Sequence, residues 1–248
     1  MSMDPARPRP NIILILADNL RWGELGCYGG TLRGAAAQRN AIFDKEGLFL
    51  HNFNVESDCV PTRSALMTGR QPIRTGCLQS IPASMPQGLT PWEATLAEVL
   101  RDEGYATARH GKWHLGDVPS RYPSDRGFDE WEDWGPSENV FVYDLKERRH
   151  IDVTLVEQSK DWIHRQAKAE SRSSFIPILY TFISLLCHIT GFQGKTGNGE
   201  FADFMAEIDY RVGQLPDHDD GWAIGDNTVA IFISDNGSVF PTKARLGP

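Results

Sequence analysis

Short, strongly apolar runs alternate with amphipathic stretches along this 248-residue chain, and that alternation predicts an α/β fold. Three observations carry the expectation. Ile12-Ile13-Leu14-Ile15-Leu16 is a continuous, β-branched run, as a strand buried on both faces requires. Glu93 to Glu103 reads as a helix between that strand and the next apolar run. Polar residues then recur where apolar runs end, at Asp18-Asn19, His110 to His114, His188 and Asp235-Asn236. In open α/β sheets ligands bind outside the carboxyl ends of the strands, so these separated segments are expected at one edge.

Taken in order, residues 1–10 are polar and proline-rich and read as a flexible N-terminal segment. Asn11 to Ala17 is the first core strand, too short to cross a bilayer. Ser64 to Met67 reads as a short helical stretch closed by Gly69. In the helix from Glu93 to Glu103, Thr90 is the expected N-cap, Pro91 the first helical residue and Glu93 the capping-box partner. Leu96, Val99 and Leu100 would form its apolar face, and Gly104 its stop. Tyr105 to Ala108 is the next strand. Asp152 to Lys168 is expected to be helical, with Val156, Ile163 and Ala167 on one side. Phe175 to Ser184 reads as an apolar strand whose first half Pro177 weakens, because proline donates nothing to a ladder. Glu200 to Leu215 is amphipathic, and Val229 to Ser234 reads as another buried strand.

Composition narrows the function. A net charge of −8 argues against general nucleic-acid or membrane-surface binding, so an anionic ligand would need a local cationic pocket or a metal. The cysteines (Cys27, Cys59, Cys77, Cys187) form no CxxC pair, which excludes a thiolate zinc site and a dense disulfide framework. No secretion signal is legible, so the expected location is cytoplasmic, or periplasmic or secreted if a leader has been removed.

Chemistry concentrates in three places. In Cys59-Val60-Pro61-Thr62-Arg63, the cysteine is expected at a helix N-terminus, where unpaired N–H groups and the helix dipole favour negative charge. Arg63 adds a permanently charged, planar donor suited to an oxyanion. Asp18, Asn19, Asp235 and Asn236 are hard oxygen ligands at strand ends, fitting Ca²⁺ or Mg²⁺ better than zinc. Either pair by itself would read as a turn; it is their combination with Cys59 that favours a metal. Lys112 and His114 lie two apart, so an extended segment would point both the same way, as an oxyanion site would use them. His51, His110, His150, His164 and His218 lack a partner pattern and read as surface or loop residues. Arg148-Arg149 reads as a solvated face, and Gly194 to Gly199 as a loop without phosphate-loop spacing. The absence of Gly-x-Ser-x-Gly argues against an ordinary serine hydrolase.

Cys59 to Arg70 resembles the first sulfatase signature, Cys/Ser-x-Pro-Ser/Thr-Arg-x-x-x-x-Thr-Gly-Arg, and Gly104 to Gly116 resembles the second, Gly-Tyr-x-Thr-x-x-x-Gly-Lys-Trp-His. The resemblance runs from about Pro10 to Gly237. It implies an alkaline-phosphatase-like domain over 11–248, a mixed sheet between helices, and a smaller C-terminal subdomain for which this chain has no room. It implies that Cys59 is converted to formylglycine by a formylglycine-generating or anaerobic sulfatase-maturating enzyme, and that the hydrated aldehyde attacks sulfur. The implied metal, Ca²⁺ with Mg²⁺ as alternative, is held by Asp18, Asn19, converted residue 59, Asp235 and Asn236. Arg63, Lys112, His114 and His188 are the implied catalytic partners, with a second lysine for which Lys243 is the candidate. Where the family has a second aspartate, this chain has Asn19, which removes one ligand charge. The implied substrate is a small-molecule or carbohydrate sulfate ester. Two alternatives stay open: hydrolysis of phosphodiesters or phosphonate monoesters, and a catalytically impaired remnant.

Overall fold

Strand β1 (Asn11–Ala17) sits inside a five-stranded sheet and organises the molecule. The computed structural model describes residues 9–28, 47–81, 85–132, 151–169, 174–180, 191–214 and 227–237. Along the chain, β1 is followed by α1 (Cys59–Thr68), α2 (Pro72–Thr75), α3 (Leu96–Asp102), β2 (Ala106–Gly111), β3 (Glu130–Glu132), α4 (Ile151–Ala169), β4 (Ser174–Tyr180), α5 (Glu200–Gly213) and β5 (Thr228–Ser234). The sheet order is β3-β2-β4-β1-β5, and every described pairing is parallel. Parallel strands require crossovers and both faces covered, and the core divides accordingly. Ile13, Ile15 and Ala17 face a cluster with Val156, Trp162 and Ile163 of α4 and Met205, Ile208 and Val212 of α5. Leu14 faces the opposite cluster, with Val60, Met67, Leu89, Ala97, Trp113, Leu115 and Phe128. Three layers, helices on sheet on helices, result.

Local sequence explains the ends of these elements, with several departures from expectation. Helix α1 puts Cys59 at its N-terminus, as expected of that residue, and so begins five residues before the predicted helical stretch from Ser64, because the Asp58 side chain caps it; Gly69, at φ +64°, closes it as expected. Helix α3 starts at Leu96 rather than Glu93. Thr95 and Glu98 form the capping box in place of Thr90 and Glu93, while Glu93 N–H turns back on the Thr90 carbonyl and its carboxylate is buried near Arg70. Gly127 permits this start: a Cβ there would strike the backbone of Ala97 and Glu98. Val99 is exposed, so the apolar face of α3 is narrower than the sequence suggested. Helix α4 matches its expected span, but Trp162 and Leu155 take the buried face and Ala167 is exposed.

Two strands exchange their expected ranks. β4, which Pro177 should weaken, lies between β2 and β1 at the centre. The pairing with β2 covers Ala106–Thr107 and His110–Gly111 and is interrupted opposite Ile176 and Pro177, while that with β1 runs on from Ile12↔Phe175 to Ala17↔Tyr180. Proline is tolerated because the gap falls on one side only. β5 is the edge, pairing with β1 from Asn11↔Thr228 to Ala17↔Ser234, and Val229 and Ile231 are exposed instead of buried. Residues 1–8 and 181–184, Leu215 and Arg148-Arg149 lie outside the described residues. Among the described residues no helix is long and apolar enough to cross a membrane.

Candidate active site at the carboxyl edge of the sheet

The register of β1 and β5 sets Ala17 beside Ser234, so Asp18 and Asp235 leave the sheet side by side. Asp235 N–H donates to the Ala17 carbonyl at 3.0 Å, and Asn19 N–H donates to Asp235 Oδ1 at 3.1 Å. Asn19 adopts φ +63°, a conformation asparagine tolerates better than most residues. Helix α1 aims its N-terminus at this pair. Thr62 Oγ1 donates to the Asp235 carbonyl and accepts from Glu56 N–H at 3.0 Å, which ties the helix to the end of β5. The ligand atoms of Asp18, Cys59 and Asp235 consequently lie within 4.8 Å of one another, all buried.

Two cations face the carboxylates. Arg63, only 2% exposed, donates from Nη2 to Asp235 Oδ2 at 2.9 Å, reaches Asp18 Oδ1 at 3.5 Å, and donates from Nη1 to the Lys112 carbonyl at 2.8 Å. Lys112 Nζ lies 2.9 Å and 3.2 Å from the two Asp18 oxygens. Burial works against ionising Asp18, but Lys112 and Arg63 overcome it and hold its carboxyl low. Asp235 goes the other way: burial, with the Asp18 charge beside it, outweighs Arg63 and raises its pKa to about 7. Two carboxylates in one buried space resist losing both protons.

Burial also pushes the Cys59 thiol up to about 11, despite nearby Lys112. At neutral pH the unmodified side chain is therefore a thiol, and a thiol is a poor nucleophile. Asp58 Oδ1 accepts from Cys59 N–H at 2.7 Å and lies 3.3 Å from its Sγ, while Oδ2 accepts from Ser80 N–H and Oγ at 3.0 Å and 2.8 Å. Sequence reasoning passed over Asp58, although an aspartate directly before a helical run is an N-cap signal.

The segment after β2 differs from expectation in shape. The strand ends at Gly111, and His114 takes a left-handed φ of +58°, so Lys112 and His114 do not lie on an extended segment. The turn still brings them together. His114 is buried, and burial first, then Lys112 and Arg63, lower its pKa to about 3. It is a neutral base at physiological pH. His110, expected at the surface, is buried in β2 with Nδ1 3.0 Å from Ser159 Oγ. His51 and His164 are exposed, as expected. The structure thus gathers Asp18, Asn19, Cys59, Arg63, Lys112, His114, Asp235 and Asn236. His188, Lys243, His150 and His218 lie outside the described residues.

A hard cation suits the donor set. Asn236 Nδ2 donates to Asn19 Oδ1 and to the Gly237 carbonyl, while Asn236 Oδ1 is buried without a hydrogen-bond partner among the described residues. A buried acceptor left over beside two carboxylates is what an oxygen-ligated ion would satisfy.

Comparison with known proteins identifies the family. The sulfatase family model matches residues 10–247. Human N-acetylgalactosamine-6-sulfatase is 30% identical over 284 aligned residues, which cover 100% of this chain and 53% of that protein. Human arylsulfatase A is 31% identical, covering 98% and 54%. Among solved structures, the PsFucS1 sulfatase from Pseudoalteromonas sp. superposes with a TM-score of 0.80 at 24% identity, covering 92% of this chain and 55% of that one. Ps i-CgsB in complex with k-i-k-neocarrahexaose gives 0.75 at 22%, covering 93% and 59%. At these identities the structural likeness establishes the fold. The chain spans about half the length of the curated relatives it matches. Signatures, sheet-edge carboxylates and family match agree, and the chain belongs to the sulfatase family.

Proposed function

We propose that this site hydrolyses sulfate monoesters, R–O–SO₃⁻ plus water giving alcohol and hydrogen sulfate, with residue 59 as the nucleophile. The observation that carries the reading is the convergence of Asp18, Cys59 and Asp235 within 4.8 Å against Arg63 and Lys112. After conversion to formylglycine by a maturating enzyme, residue 59 would supply a hydrated aldehyde, one hydroxyl to attack sulfur and the other to release sulfate. Asp18, Asn19, Asp235 and Asn236 would hold Ca²⁺, with Mg²⁺ as alternative. Bound there, the cation would draw charge from the sulfate oxygens.

The chain's own residues prepare this chemistry. Arg63 spans both carboxylates and the Lys112 carbonyl, and so fixes Lys112 relative to the metal ligands. The Lys112 ammonium lies at the mouth of the cluster, 12% exposed, where it can move from Asp18 to a sulfate oxygen. His114, neutral at pH 7, can accept the proton of the second hydroxyl as sulfate departs. Asp58 anchors the backbone of residue 59 and thereby its orientation.

The test is turnover of 4-nitrophenyl sulfate against 4-nitrophenyl phenylphosphonate by matured, calcium-loaded protein. A clear preference for the sulfate ester is expected. Preference for the phosphonate would place this site with the phosphodiester and phosphonate hydrolases instead.

A further inference from the structure

Helix α1 needs one acceptor in front of it, and Asp58 supplies two. Its Oδ1 takes the Cys59 N–H at 2.7 Å, and that contact alone caps the helix; serine or asparagine would serve as well. The second oxygen, Oδ2, is bound to a segment 22 residues along, where Ser80 donates from its N–H at 3.0 Å and from Oγ at 2.8 Å. A cap has no use for this second engagement. It does fix the plane of the carboxylate, because hydrogen bonds to both oxygens stop it turning about the Cβ–Cγ bond. In that plane Oδ1 also lies 3.3 Å from Cys59 Sγ, the atom that conversion of the residue would replace.

Ser80 can steady a carboxylate because it is itself held on both sides. Cys77, 2% exposed, lies in the core cluster with Val60 of α1, and Ile81 packs against the same cluster. Ile81 has a second tie, since its backbone carbonyl accepts from the His114 ring. One short piece, Cys77 to Ile81, thus touches both the anchor of residue 59 and the ring proposed to take a proton from it. That piece belongs to neither signature. Ser80 is exposed, so core packing does not account for its place.

We propose that Ser80 is a positioning residue, which acts through the Asp58 carboxylate to set the direction of the residue 59 side chain relative to His114. The proposal rests on the sulfate-ester reading and adds to it a residue outside the metal ligands and their cations. Without Ser80, Asp58 still caps α1, but its carboxylate is free to turn. Misplacing reacting groups by about 1 Å costs as much as a hundredfold in rate. Releasing one exposed hydroxyl costs the fold little. Rate and stability therefore separate a positioning role from a merely structural one.

The experiment compares Ser80→Ala, Ser80→Thr, Asp58→Ser and the double variant Asp58→Ser with Ser80→Ala, all in the full chain. Two readouts are taken: amide hydrogen exchange of the unconverted protein, and kcat of the matured, calcium-loaded protein per converted residue 59, counted by peptide mass. Cys59 N–H opens α1 and has no acceptor within the helix, so its exchange reports the Asp58 contact directly. Ser80→Ala should speed that exchange about three- to tenfold and lower kcat on 4-nitrophenyl sulfate by a similar factor, with KM within about twofold and the urea midpoint unmoved. Ser80→Thr keeps the hydroxyl and should restore both. Asp58→Ser keeps a helix cap and should lower kcat further, by about a hundredfold. Adding Ser80→Ala to it should change little more, because Ser80 then has nothing to act through. The proposal is overturned by Cys59 exchange indifferent to Ser80→Ala, by a Ser80→Ala loss that persists in full beside Asp58→Ser, or by a loss of stability with kcat unchanged. A parent that turns over no sulfate ester removes the hydrolase reading, and the exchange comparison then still decides whether Ser80 positions residue 59.

Discussion

The two signature segments reach the same site by opposite means. Asp58 to Gly69 is shaped locally, since Asp58 caps its first turn and Gly69 closes it, and Thr62 then fastens the finished helix to the end of β5. Gly104 to Gly116 is fixed by distant partners. β2 is buried over its whole length, Lys112 is drawn to Asp18, and a left-handed turn at His114 tucks the imidazole inside. The first segment places Cys59, and the two ends of its helix follow from neighbours in sequence. The second supplies a cation and a base whose positions and pKa values exist only once β1, β4 and β5 have assembled. Arg63 joins the two, since it rises from the first segment and holds the Lys112 carbonyl of the second.

That joint is the place to break the comparison first. Arg63→Ala would leave Asp18 and Asp235 buried together with one cation fewer, at a cost of about 3–5 kcal/mol in urea unfolding of the metal-free protein. A loss under about 1 kcal/mol would show that the two segments are held independently. In the second segment His110 offers a pH test. Its Nδ1–H donates to Ser159 Oγ, whose own proton goes to the Leu155 carbonyl, and burial lowers its pKa to about 4. The unfolded chain therefore takes up a proton below about pH 6.5 that the folded one refuses until about pH 4. Stability from this group is complete above pH 6.5 and declines toward pH 4, by at most about 3 kcal/mol. The decline should shrink in His110→Asn when unfolding is followed across that range.

The joint also predicts a proton count. Because Asp235 titrates near 7 in the metal-free protein, calcium binding at pH 6 should release close to one proton, and at pH 8 few. Calorimetry in two buffers of different ionisation heat measures it; equal release at both values would remove the shared proton from Asp235. The smallest effect sharpens the local side. Thr95→Ala should cost about 1 kcal/mol, since its hydroxyl caps α3 and bonds the Arg126 carbonyl, whereas Thr90→Ala should be near neutral, its buried hydroxyl having no partner among the described residues.

Legibility in the sequence follows the same division. β1, the closure of α1 at Gly69 and the span of α4 were readable because apolar period and end signals lie within a few residues of each other. The α3 start was misread because Thr90-Pro91-x-Glu93 and Thr95-x-x-Glu98 both resemble an N-terminus, and Gly127, distant in sequence, leaves room for the second. Pro177 misled because strand rank depends on which side the missing N–H faces. The metal-ligand candidates and Arg63 were found through motif spacing. Burial of His110 and the contact of Ser80 with Asp58 were hidden, since each is made by segments that meet only in the folded chain.

The most direct measurement is the mass of the peptide containing Cys59, taken from protein made alongside a sulfatase-maturating enzyme. The account predicts the mass loss of thiol converted to aldehyde at residue 59. A peptide that keeps its thiol under conditions that convert a known sulfatase would contradict it, since a buried thiol with a pKa near 11 cannot serve as the nucleophile.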